Sequence, residues 1–189
     1  MSRSYAIRLP LNILLAPVAR EKLGSFSMTF ELMEILPIIQ MQHILRQILI
    51  KRGFIETDQG LAMPCKYGNS AVFFPETMTM RLNVPVPKSM EVTINDDFLP
   101  DWLARIQSAK ENNELISPEL TKMAQDELGQ KASEELFKLA IEARGQINAA
   151  LKEAYRDAIR EKASKLGTVS DVTESNDGST YRIRIEVKE

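Results

Sequence analysis

Residues 158–188 read AIREKASKLGTVSDVTESNDGSTYRIRIEVK. The first part carries Ala158, Ile159 and Leu166 at helical spacing, and Gly167 is a natural helix stop. Ser175, Asn176, Asp177 and Gly178 are turn formers. Beyond them Tyr181, Ile183, Ile185 and Val187 alternate with Arg182, Arg184, Glu186 and Lys188. Alternation with a period of two marks a half-buried strand. Val169 and Val172 supply its partner. The segment is therefore an amphipathic helix followed by a β-hairpin, apolar on one face and charged on the other.

Upstream of this tail the pattern is helical. Ser117-Pro118 is a strong start, with a hydroxyl to cap the helix and proline at its first position. Leu120, Met123, Ala124 and Leu128 begin an apolar stripe. Leu136, Leu139, Ala143, Ile147, Leu151, Ala154 and Ala158 continue it. As one rod this would be about 48 residues, or roughly 70 Å at ~1.5 Å per residue. A compact globule of this chain length has a diameter of only roughly 40 Å. A break or kink near Gly129 is therefore expected, because glycine costs about 1 kcal/mol inside a helix.

The N-terminal half mixes periods. Tyr5, Ile7 and Leu9 alternate with polar neighbours, and Pro10 ends that strand. Residues 11–24 are ambiguous. Phe26, Met28, Phe30 and Leu32 form a second alternating run. Pro37 opens a helix carrying Met41, Ile44, Leu45, Ile48 and Leu49, which Lys51, Arg52 and Gly53 close. A meander follows, with turns at Asp58-Gln59-Gly60, Gly68-Asn69 and Pro75-Glu76-Thr77. Val84-Pro85-Val86-Pro87 is stiff and extended, a domain boundary. One more strand through Met90, Val92 and Ile94 precedes a helix opened by Pro100, with Leu99, Leu103 and Ile106 inward and Trp102 partly buried. Asn112-Asn113 interrupts it. The fold class is α+β: a small N-terminal sheet with one packed helix, then a long helical region ending in the hairpin. The domains are 1–87, a linking strand and helix over 88–116, and 117–189.

Composition narrows the function. The 189 residues are 44% hydrophobic and 26% charged, ordinary for a globular protein that buries its own core. With 24 basic and 26 acidic residues the net charge is −2, which gives no global attraction to nucleic acid or anionic lipid. No segment reaches the ~20 apolar residues of a membrane helix. Asn12 and Pro17 interrupt the run over 11–18, and Arg8 and Pro10 stand too close in front of it for a signal-peptide core. The single Cys65 forms no internal disulfide, so a reducing cytoplasm is the expected compartment.

Catalytic chemistry is missing from the pattern. His43 is the only histidine, on the polar side of its helix, and no Gly-x-Ser-x-Gly accompanies it. One His and one Cys cannot furnish a zinc site. The 8 glycines form neither Gly-x-Gly-x-x-Gly nor a Walker loop. Asp96-Asp97 reads as a helix-start pair rather than a cation site. Met28, Met33, Met41, Met78, Met80 and Met90 fall mainly at core-facing positions. No catalytic, cofactor or metal residues are assigned. The one suggestive surface is basic: Lys152, Arg156 and Arg160 on the last helix, with Arg182 and Arg184 on the last strand. These residues are the candidate contacts to a phosphate or a partner. Glu153, Asp157 and Glu161 interleave with the helical cations, as on a solvated, mixed-charge face.

Two stretches carry a resemblance. Residues 26–37, FSMTFELMEILP, run into a helix ending in KRGF at 51–54. Residues 158–167, AIREKASKLG, are followed by YRIRIEV at 181–187. Together they resemble uncharacterised accessory proteins of bacterial AAA+ ATPase-linked ternary conflict systems. The resemblance implies an adaptor or accessory role and supplies no catalytic residues. The expected function is a non-enzymatic interaction module with a protein partner. The alternative is a small nucleic-acid-binding protein using the basic face of the last helix and hairpin. The sequence leaves the oligomeric state open.

Overall fold

A computed structural model describes residues 4–95, 99–112, 114–176 and 181–188. The elements run β1 (Ser4–Pro10), α1 (Leu11–Leu14), α2 (Pro17–Leu23), β2 (Ser25–Thr29), α3 (Ile38–Lys51), β3 (Ile55–Thr57), β4 (Gly60–Met63), β5 (Ser70–Phe74) and β6 (Thr79–Asn83). They continue with β7 (Ser89–Asn95), α4 (Leu99–Asn112), α5 (Pro118–Ser164), β8 (Thr168–Asn176) and β9 (Tyr181–Lys188). This is the α+β arrangement expected: a small sheet, a long helix and a C-terminal strand pair. The chain groups into two compact units that interleave in sequence. One comprises Met1–Phe26, Tyr67–Asn69 and Leu82–Leu139; the other comprises Ser27–Lys66, Ser70–Arg81 and Ala140–Glu189.

In the first unit β1 pairs antiparallel with β7, Leu9 opposite Met90 and Ile7 opposite Val92. β1 thus lies outside the N-terminal sheet, because its apolar face is completed by residues far along the chain. That face joins Leu11, Ile13, Leu14 and Leu15 from the ambiguous region, which folds as the two short helices α1 and α2. Ile106 and Ala109 of α4 and Leu120, Ala124 and Leu128 of α5 close the core. Leu103, placed inward from its spacing, is exposed. Gly24 sits where a side chain cannot: a Cβ there lies 2.5 Å from the Val84 carbonyl oxygen. The Val84 N–H donates to the Gly24 carbonyl at 2.8 Å.

The second unit holds most of the five-stranded sheet, ordered β2-β6-β5-β4-β3. Leu61 opposes Phe73 and Met63 opposes Ala71, all four buried on one face. Phe30 meets Phe73 edge to face, centroids 6.0 Å apart. α3 packs here through Met41, Leu45, Ile48 and Leu49. Its end is a Schellman cap: Gly53 at φ +94° donates to Ile50, and Phe54 donates to Leu49. Phe54 and Leu49 are both buried, which anchors the exit.

α5 is one unbroken 47-residue helix, so the break expected near Gly129 does not occur. The physical reason lies in the stripe itself. Leu128, Ala132 and Leu139 are buried on either side of Gly129, and each of the two leucines contributes roughly 1.5–3 kcal/mol. That outweighs a glycine penalty of about 1 kcal/mol. The N-terminus behaves as its sequence foretells: the Leu120 N–H donates to the Ser117 hydroxyl at 3.3 Å, and that hydroxyl donates to Glu119 at 2.6 Å. α4 ends at Asn112, while Asn113 lies outside the described residues.

β8 and β9 pair as the expected hairpin, Val172 opposite Ile185 and Thr173 opposite Arg184, with a bulge between Val169 and Asp171. The turn at Asp177 and Gly178 lies outside the described residues.

Candidate functional site

The best-defined polar and apolar junction in the second unit joins α3, the stretch before it, and the later part of α5. Leu36, Met41 and Ala158 are buried together, with Ile44 and Tyr155 packed against them. The Tyr155 hydroxyl donates to the Glu31 carbonyl and accepts from the Met33 N–H, both at 3.2 Å. Arg52, just past the end of α3, pairs with Glu153. Alanines at 150, 154 and 158, all fully buried, leave room for this close approach. The pairings hold the segment between β2 and α3 against α5; Met33 of that segment and Ile39 in the first turn of α3 are exposed.

The cations singled out from the sequence fall into two sets, each drawn together by its own element. Lys152, Arg156 and Arg160 recur every fourth residue along α5, the outer two exposed and Arg156 half-buried. Arg182 and Arg184 share the exposed face of β9, opposite Ser175 and Thr173. Carboxylates accompany both sets. Arg156 lies 3.4 Å from Asp157, Arg184 lies 3.1 Å from Glu186, and Lys165 holds Glu161 at 3.1 Å. Mixed charge of this kind suits a protein surface better than a phosphate backbone, which attracts unopposed cations.

Groups with chemical potential are quiet. The Cys65 thiol is half-buried and donates to the Met63 carbonyl at 3.2 Å. Burial, reinforced by the nearby Glu142 carboxylate, pushes its pKa above the ordinary thiol range, which disfavours the nucleophilic thiolate. His43 is exposed on α3. Asp96-Asp97 lies outside the described residues. Among the described residues no three His, Cys, Asp or Glu side chains gather as a metal requires. None of their helices is long and apolar enough to cross a membrane. In the first unit Tyr67, Val84, Pro85, Val86, Leu128 and Ala132 line a groove of about 240 Å³, with Lys131 and Glu135 on its rim. That is below the roughly 300–1,000 Å³ of ordinary small-molecule sites.

Sequence reasoning missed the exposed apolar side chains of α5. Phe137 is 68% exposed and Ile141 59%. They stand one helical turn apart, off the buried stripe of Leu139, Ala143 and Ile147. Their own i, i+4 spacing outside the main stripe was the available signal.

The description FtsH ternary system domain X5 matches residues 1–188. The chain belongs to this family. The membership bears out the resemblance to accessory proteins of AAA+ ATPase-linked ternary systems. An X5 domain is by its family name a component of an FtsH ternary system. No curated protein and no solved structure matches the chain.

Proposed function

We propose that this X5 domain is a non-enzymatic adaptor that docks other proteins of its FtsH ternary system in the cytoplasm. The observation that carries the reading is the match to that family over residues 1–188. The side chains support it: a thiol held protonated, a solvent-facing histidine, and mixed-charge surfaces on firmly packed elements. The partner contacts are the flank of α5 carrying Lys152, Arg156 and Arg160 and the face of β9 carrying Arg182 and Arg184. Local pairing with Asp157 and Glu186 argues for a protein partner of similarly mixed charge over nucleic acid.

The test is reconstitution of the whole chain with the purified AAA+ ATPase of its own system. Co-elution on size exclusion at moderate salt is expected, and reversing Arg160 and Arg182 to Glu weakens it. An unmixed, separately eluting chain under mild conditions refutes the adaptor reading.

A further inference from the structure

The hairpin of β8 and β9, which lies wholly in the second unit, leaves one regular strand edge open. Among the described residues the two strands hydrogen-bond to each other and to no further strand. A lone two-stranded sheet is marginal in water, whereas three or more strands support themselves. The edge of β8 is interrupted by the bulge between Val169 and Asp171, a device that discourages further pairing. The edge of β9 is uninterrupted. The Ser170 hydroxyl of β8 donates to the Glu186 carbonyl at 3.1 Å, so the main-chain groups of Glu186 face β8. By the two-residue period of a strand those of Arg184 and Arg182 do the same, and those of Ile183, Ile185 and Val187 face the free edge. Charge on the exposed face is segregated. Asp171 and Glu186 stand opposite each other, a like-charge pair. Arg184 and Arg182 lie further towards the turn, opposite the neutral Thr173 and Ser175. Glu186 already meets Arg184 of its own strand at 3.1 Å, an exposed pair.

We propose that the free edge of β9 pairs antiparallel with the same edge of a second copy of the chain, joining two hairpins into one four-stranded sheet about a two-fold axis at Ile185. Ile185 then faces Ile185 of the second copy, Ile183 faces its Val187, and Arg184 faces its Glu186. Symmetry repeats the last two contacts, as an isologous interface requires. Arg184 and Glu186 fall at the non-hydrogen-bonded positions of the new ladder, where side chains stand closest. The ion pair within each strand thus becomes half of a ring of four alternating charges. An axis at Arg184 sets arginine on arginine in the middle of the seam, and one at Glu186 sets carboxylate on carboxylate, so charge selects Ile185. Arg182 falls opposite Lys188 at each end, a like-charge cost. With a seam of only about 20 Å and about six main-chain hydrogen bonds, that cost keeps the dimer weak, with a micromolar Kd. Edge pairing leaves the exposed face of the sheet open. The inference needs only this chain and does not rest on the adaptor reading.

The test is sedimentation equilibrium of the full chain over roughly 1–200 μM, bracketing a micromolar Kd. Wild type is expected to show reversible monomer–dimer association. Arg184→Glu and Glu186→Arg each weaken it by about tenfold or more, since each places like charges across the seam. An equimolar mixture of those two variants regains association, because one copy then carries two acids where the other carries two bases. The variant with both changes regains it too. Amide hydrogen exchange reads the backbone: the Ile183, Ile185 and Val187 amides slow as concentration rises, far more than those of Arg182, Arg184 and Glu186, which β8 already engages. Far-UV circular dichroism of every variant confirms that the fold is retained. A wild type monomeric throughout this range overturns the proposal. So does a dimer indifferent to the charge reversals, a mixture that stays monomeric, or a dimer whose Ile183, Ile185 and Val187 amides gain no protection.

Discussion

Replacing Gly129 by alanine tests whether α5 passes through that position as a regular helix. The structure sets the magnitude. Gly129 is half-buried, its φ is not positive, and a Cβ built on it meets nothing within 4 Å. The added methyl therefore encounters neither clash nor cavity, and only the backbone preference changes. Alanine is favoured over glycine inside a helix by about 1 kcal/mol, partly because it restricts the unfolded chain. For a chain of this size that raises Tm by roughly 2–4 °C. Thermal and urea unfolding followed at 222 nm, at one low protein concentration, measure it. A midpoint unchanged or lowered by Gly129→Ala refutes the unbroken helix, since a glycine at a break resists a side chain.

Gly60→Ala is expected to behave oppositely. At φ +145° and with a Cβ 2.6 Å from the Phe73 carbonyl oxygen, it costs about 1–3 kcal/mol or more, read as a lowered urea midpoint. Tyr155→Phe removes the hydroxyl shared by Glu31 and Met33 and costs about 1–2 kcal/mol, with faster hydrogen exchange at the Met33 amide. Cys65 gives a pH signature. Its native pKa is raised, so its contribution to stability is complete below the unfolded thiol value and is lost as pH climbs from there through the native value. Native-state thiol labelling at mildly alkaline pH is accordingly slower than labelling of the unfolded chain.

Local chemistry was readable where one short segment contains all its own determinants. Gly53 ends α3 because only its left-handed backbone completes the cap, and Ser117-Pro118 opens α5 for reasons held within four residues. The β8–β9 pairing was equally local. The partner of β1 was not, because a period of two says which face is apolar and nothing about what covers it. Met90 and Val92 answer that from across the chain. Residues 11–24 hid two helices too short for periodicity to register. At Gly129 the intrinsic preference pointed one way and the buried stripe the other, and the stripe won. For the candidate surface, spacing alone places Lys152, Arg156, Arg160, Arg182 and Arg184 beside carboxylates, and the structure adds which of these meet: Asp157 with Arg156 and Glu186 with Arg184. Phe137 and Ile141 stand off the buried stripe, so following that stripe alone does not reach them.

The interleaving of the two units bears on how the protein is made. As the chain leaves the ribosome, β1 emerges long before β7, and α3 long before Tyr155 and Ala158. The first unit is complete only when the chain has reached Leu139, and the second needs the later part of α5 as well. A nascent or truncated chain stopping within α5 would present Met41 and its neighbours uncovered, a target for chaperones and proteases. Because the two units interleave, no single cut releases either of them intact.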